Sequence, residues 1–129
     1  MILGIGIDLV ENARLAGAIE RHGETFLKRI FTAEEIAYCA GMSMPTPHYA
    51  ARFAAKEALS KAFGTGIGGQ LGWLDIEVRR KASGEPFIVL SGAGAQLSER
   101  RGVAQIFLSL SHAPHYATAQ VILTGEATL

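Results

Sequence analysis

The chain has 129 residues, enough for one domain whose core needs no disulfide or structural metal. About half of the residues are hydrophobic (49%), which excludes a disordered chain. Its 12 basic and 12 acidic side chains cancel, which excludes bulk attraction to nucleic acid.

The single cysteine, Cys39, allows no internal disulfide and no cysteine-rich zinc site, and suits a reducing, cytoplasmic setting. The apolar start, Met1–Val10, is short and lacks the basic residues and cleavage site of a signal peptide. No apolar run approaches the roughly 20 residues of a membrane span, so no membrane association is expected.

Ile2–Val10 alternates as a strand does. Leu3, Ile5, Ile7 and Leu9 share one face, expected to be core. Gly4, Gly6 and Asp8 share the other, which is nearly bare and lets a ligand or another backbone come close. Asn12 is the expected cap of a helix to about His22. Leu15 and Ile19 lie on its inner side, and Arg14 and Arg21, close to two turns apart, share the opposite one. Thr32 followed by Glu35 is a capping-box pattern and predicts a second helix to about Ala40.

Pro45 and Pro47 are then expected to break the pattern. The longest helix is predicted over about His48–Phe63, rich in Ala, Leu, Lys and Glu, with Gly64 as its cap and Gly64–Gly69 as a loop. Strands are predicted near Trp73–Arg79 and Phe87–Leu90, a short helix over Gly94–Arg101, and two last strands over Gln105–Ser111 and Tyr116–Thr124. Helices dominate the first half and strands the second. The expected fold is therefore α+β with a mainly antiparallel sheet, in a single domain over residues 1–129.

On the long helix, Glu57 and Lys61 lie one turn apart, away from the apolar side formed by Ala55, Leu59, Ala62 and Phe63. The plain alternative is an exposed i,i+4 pair. Asp8 gives the pair more meaning. A carboxylate on the glycine side of a strand is costly to bury alone, and Asp8 with Glu57 can share a hard cation such as Mg²⁺. The glycine loop is either a cap and turn or a set of backbone amides near phosphate, with Lys61 beside them. Ser109 and His112 are a poor nucleophile pair, because Ser109 and Ser111 share one face and His112 takes the other. His112 and His115 lack zinc-ligand spacing. Cys39 is expected to be a buried small apolar residue and Trp73 a packing residue. Arg14 and Arg21, extended by Lys28 and Arg29, form either a solvated face or a docking face for an acidic partner.

Three blocks of the chain resemble the holo-[acyl carrier protein] synthases, the small phosphopantetheinyl transferases. They are Gly4-Ile-Gly-Ile-Asp-Leu-Val-Glu11, the run from Arg52 to Gly68, and Ser109-Leu-Ser-His112 followed by Tyr116-Ala-Thr-Ala. The resemblance covers nearly the whole chain, and the second block is its most specific part. It implies a mainly antiparallel sheet packed against the long central helix, and a homotrimer with active sites between neighbouring subunits. It implies that Asp8 and Glu57 bind Mg²⁺ on the pyrophosphate of coenzyme A and that Lys61 contacts those phosphates. Arg52, Gly64, Thr65, Gly66, Ser109 and His112 would line the coenzyme A site, and Arg14 and Arg21 would meet the acyl carrier protein. The chain departs from several members at Ala113, where they carry an acidic residue, so no role is assigned there.

The implied reaction moves 4′-phosphopantetheine from coenzyme A to a serine hydroxyl of apo-acyl carrier protein and releases adenosine 3′,5′-bisphosphate. Asp8, Glu57 and Lys61 are its expected catalytic residues. Glu57, or a metal-bound water beside it, would take the serine proton. The rivals are a module that binds coenzyme A or the carrier without chemistry, and a metal-dependent hydrolase of nucleotide pyrophosphates.

Overall fold

The computed structural model describes residues 1–127; residues 128 and 129, the last of the expected domain, lie outside them. In chain order the elements are β1 (Ile2–Glu11), α1 (Asn12–Ile30), α2 (Ala33–Ala40), α3 (Pro45–Phe63), a 3-10 turn (Trp73–Asp75), β2 (Ile76–Arg80), β3 (Pro86–Leu90), α4 (Gly92–Arg100), β4 (Val103–His112) and β5 (Tyr116–Gly125). The strands form two antiparallel sheets, β1-β5-β4 and β2-β3. The fold is α+β, as the sequence predicts.

α3 lies across the three-stranded sheet and is buried along most of its length, through Ala50, Ala51, Ala54, Ala55, Ala58 and Leu59. Alanine favours the helix and keeps its surface low, so other backbones can approach closely. β1 takes that opportunity. A methyl group built on Gly6 would sit 1.8 Å from the Ala58 carbonyl oxygen, and one on Gly4 would sit 2.1 Å from that of Ala62. The bare face of β1 is therefore its inner face, filled by the backbone of α3.

This reverses one expectation. Leu3, Ile5, Ile7 and Leu9 are not core: they are 41%, 57%, 61% and 65% exposed in the single chain. Alternation separates two faces but does not say which is covered, and here two glycines that admit a helix outweigh four large apolar side chains. Ile5 pairs with Ile122, which pairs with Phe107 across the sheet, so the apolar outer surface runs over all three strands.

Several boundaries also differ. Asn12 does not cap α1; its side-chain amide donates to the carbonyls of Ala113 and Pro114, and its backbone N–H to that of His115. It thereby ties the start of α1 to the β4–β5 connection. Past His22 the chain resumes as helix to Ile30 after a break at Gly23, whose φ of 54° and ψ of −136° only glycine adopts readily. Pro45 and Pro47 open α3 instead of breaking the chain before it, because the first turn needs no N–H from those positions. Trp73–Asp75 is a 3-10 turn and not the start of a strand. The capping box of Thr32 and Glu35 and the left-handed cap at Gly64 form as expected.

Candidate active site

The close packing of β1 on α3 decides where Asp8 points. It follows Gly6 on the inner face, and Lys61 of α3 donates to Asp8 Oδ1 at 2.9 Å and to the Ile7 carbonyl at 3.1 Å. The lysine thus pairs with the aspartate and not, as an i,i+4 partner, with Glu57. Its side chain remains 53% exposed, so the contact is an open one. Glu57 stands half-buried beside this pair. Burial, and then the charge of Asp8, hold its carboxyl above the usual carboxylate range, with Lys61 offsetting part of the effect.

A cavity of about 550 Å³ opens at this point, between β1, α1 and α3. Asp8 and Glu57 line one part, Arg14 and Arg21 of α1 another, and Phe26 and Phe53 form apolar wall between them. Both arginines are exposed. The tertiary structure therefore brings four predicted residues into one cavity, with Lys61 joined to them through Asp8.

The other predicted residues lie elsewhere. Arg52 is buried, 2% exposed, with its guanidinium over the Tyr38 ring at 4.2 Å and Nη1 donating to the His48 carbonyl. Its Nε is buried without a partner. The His112 ring lies 5.9 Å from that of His48. Burial, then the charges of Arg52, His112 and Arg80, hold the His48 imidazole below its usual range. Ser109 sits opposite Gln120 on the outer face of the sheet, away from Asp8. The N–H groups of Thr65 and Gly66 both donate to the Ser60 carbonyl, closing α3 after Gly64. Cys39 is fully buried, and burial pushes its thiol up to about 11, which suits a packing role. Trp73 stacks on Phe53 with ring centroids 5.1 Å apart.

Asp8 and Glu57 fit a hard divalent cation. They supply two carboxylates lining one cavity, and the charge of Asp8 adds to burial in disfavouring the Glu57 carboxylate, a repulsion that a shared cation would relieve. Among the described residues no three acidic, histidine or cysteine side chains gather as a metal cage. Two carboxylates suit an ion that takes its remaining ligands from water and substrate phosphates, as magnesium does.

One buried pair escaped the sequence reading. Lys56 Nζ and Glu35 Oε1 lie 2.7 Å apart with both side chains fully buried. The available signal was weak: Lys56 follows Ala54-Ala55 and lies one turn from Phe53 and Leu59, but Arg52, Glu57 and Ser60 are equally near, so the pattern does not mark the lysine as buried.

Residues 4–121 match the family described as the 4′-phosphopantetheinyl transferase superfamily. The chain is 49% identical over 123 residues to a holo-[acyl-carrier-protein] synthase of Koribacter versatilis, covering 95% of this chain and 98% of the relative. Its fold is similar to the crystal structure of holo-[acyl-carrier-protein] synthase from Neisseria meningitidis, with a TM-score of 0.91 and 35% identity, over 96% of this chain and 99% of that one. It is also similar to the Helicobacter pylori synthase in complex with coenzyme A, with a TM-score of 0.83 and 33% identity, over 93% and 99% of the two chains. A glycine-faced strand that delivers a carboxylate to a Glu–Lys helix, within a fold and sequence shared over nearly the full length, leads to one assignment: the chain belongs to the 4′-phosphopantetheinyl transferase superfamily.

Proposed function

We propose that this chain is a holo-[acyl-carrier-protein] synthase, carrying 4′-phosphopantetheine from coenzyme A to a serine of apo-acyl carrier protein. The observation that carries the reading is the meeting of Asp8, Glu57 and Lys61 at one cavity whose far side bears Arg14 and Arg21. Residues 1–129 act as one phosphopantetheinyl transferase domain. No helix among the described residues is long and apolar enough to cross a membrane, and the balanced charge and lone buried cysteine suit work in the cytoplasm.

In the proposed reaction the serine oxygen forms a bond to the β-phosphorus of coenzyme A. The bond from that phosphorus to the bridging oxygen breaks, and adenosine 3′,5′-bisphosphate leaves with the electron pair. Lys61, exposed enough to turn from Asp8 toward the phosphates, stabilises their oxygens as charge shifts. Glu57, or a water beside it, accepts the serine proton. Asp8 holds Lys61 in place before substrate arrives. A magnesium ion held by Asp8 and Glu57 would neutralise charge on the pyrophosphate. Arg14 and Arg21 receive the acidic face of the carrier, and Phe26 and Phe53 supply apolar contact behind them.

The homotrimer accounts for two features. Leu3, Ile5, Ile7, Leu9 and Phe107 form an exposed apolar surface larger than scattered single residues would make. Ser109 lies on that same outer face, where it joins an active site only if a neighbouring subunit brings its Asp8 cavity there. Arg52, His112 and the Gly64–Gly66 loop complete the coenzyme A site in the same assembly. Ile5→Lys, which places a charge on the surface and leaves the core of one chain untouched, is expected to convert the trimer to monomer, read as mass by light scattering. An unchanged mass would mean that this face is not the interface.

Intact mass of apo-acyl carrier protein after incubation with this protein, coenzyme A and Mg²⁺ tests the function. A gain of one phosphopantetheine, lost with EDTA, is expected. Release of phosphopantetheine to water without a carrier would replace transfer by hydrolysis. Coenzyme A binding with no mass gain on several carriers would leave a binding module.

A further inference from the structure

We infer that the buried Lys56–Glu35 ion pair is a positioning element for the carrier side of the site, an inference that rests on the transfer reading above. Lys56 immediately precedes Glu57 on α3, so the two side chains leave the helix about 100° apart, one toward the core and one toward the cavity. The Lys56 ammonium has three N–H donors and uses all of them. They go to the Ile30 carbonyl at 2.7 Å, to Glu35 Oε1 at 2.7 Å and to the Trp73 carbonyl at 3.0 Å. Glu35 is equally committed. Its Oε1 also accepts from the Thr32 N–H at 2.9 Å, and its Oε2 from the Val78 N–H at 2.8 Å. One pair therefore fastens four segments to α3: the last residue of α1, the cap of α2, the 3-10 turn and β2.

Stability alone is a poor reason for this arrangement. Removing two charges from water is costly, and well-packed apolar side chains of similar size usually hold a core as well. What the pair supplies is geometry, because each hydrogen bond fixes a direction. One of the fastened segments carries a wall of the cavity and another backs one. The part of α1 after Gly23 carries Phe26, and the break at Gly23 means that the first part of α1 does not hold this stretch rigidly by a continuous helix. Lys56 does so from the far end, at Ile30. The 3-10 turn carries Trp73, whose ring stacks on Phe53, the second wall. The helix itself sets Phe53 against Glu57 one turn along; the distance of Phe26 from both is set through Ile30 by a lysine one residue away from Glu57, and Trp73, held by the same lysine, backs the Phe53 ring. Lys61 and Asp8, on the phosphate side, are fastened independently through the β1–α3 contact.

The test is the double variant Lys56→Met/Glu35→Gln, which removes both charges, nearly keeps their volume and leaves an amide oxygen for the Val78 N–H. Lys81→Met/Glu85→Gln, at an exposed pair on the β2–β3 hairpin, is the control. The double variant is expected to fold cooperatively. Its KM for apo-carrier should rise about tenfold or more, because small misplacements of a docking wall are costly, while its KM for coenzyme A stays within about twofold of the parent. Carrier affinity by calorimetry, which needs no turnover, should fall in parallel. An unchanged carrier KM and affinity, or equal losses for both substrates, would overturn the inference in favour of a purely structural pair. If the double variant does not fold, Glu35→Asp keeps the charge, shortens the arm and should show the same selective rise in carrier KM, of about threefold; no change there would also overturn it. A parent protein that binds carrier without transferring the group refutes the transfer reading but leaves the affinity arm decisive. One that does neither refutes both.

Discussion

Glu57→Gln is expected to lower the rate of phosphopantetheine transfer by about a thousandfold or more while the protein stays folded. The magnitude combines loss of the group proposed to take the serine proton, which general-base deletions put at about 10²–10⁴, with loss of one of two proposed ligands to magnesium. Folding should be spared because Glu57 is half-buried at a cavity and makes no side-chain hydrogen bond or ion pair among the described contacts. The amide has the same shape and removes a charge that burial and Asp8 already disfavour. Asp8→Asn should also lose most of the rate, but with a second signature. Lys61 loses its ion-pair partner and keeps only the Ile7 carbonyl, so coenzyme A binding should change as well as turnover. Single-turnover intact-mass kinetics, with coenzyme A affinity by calorimetry, separates the two. Near-parental rates with Mg²⁺ in either variant would sink the metal assignment.

Gly6→Ala is expected to destabilise the fold by about 3 kcal/mol or more, above the usual cost of a single extra methyl in a core. The new carbon would sit 1.8 Å from the Ala58 carbonyl oxygen and 2.7 Å from the Ala62 nitrogen. These are backbone atoms of a helix and cannot rotate aside as a side chain does. β1 and α3 must therefore separate, and with them Asp8 and Lys61. For a domain of this length the melting temperature should fall by roughly 10 °C or more, read by circular dichroism. Gly69→Ala, where an added methyl group meets no atom within 4 Å, serves as the comparison. A Gly6→Ala protein that melts with the parent would mean that the strand does not lie so close to the helix.

Much of the local structure was legible because its causes are local. The capping box at Thr32 and Glu35 formed because both partners lie within one turn of each other. Gly64 closed α3 because a left-handed residue was needed there and glycine supplies it without strain. α3 starts at Pro45 and not at His48, because proline is excluded from a helix interior but suits its first turn. Asn12 stands at a helix start, which suits a cap, but its side-chain partners are the carbonyls of Ala113 and Pro114, about a hundred residues along the chain.

The sequence by itself determined that the chain is α+β, that β1 has a glycine face bearing Asp8, and that Glu57 and Lys61 share one side of a helix. Those facts follow from the periods of strand and helix and from residue types at fixed spacing; the family came from the resemblance of three blocks, which no periodicity supplies. The tertiary structure decided the rest. It turned the glycine face of β1 inward, because only glycine lets a strand meet the backbone of α3, and so left Leu3, Ile5, Ile7 and Leu9 outside. It gave Lys61 to Asp8 rather than to Glu57, and it buried Lys56 with Glu35, a partner 21 residues away. Periodicity names the faces of an element, but only the packing of one element on another fixes which face is covered and which charges are left to find each other.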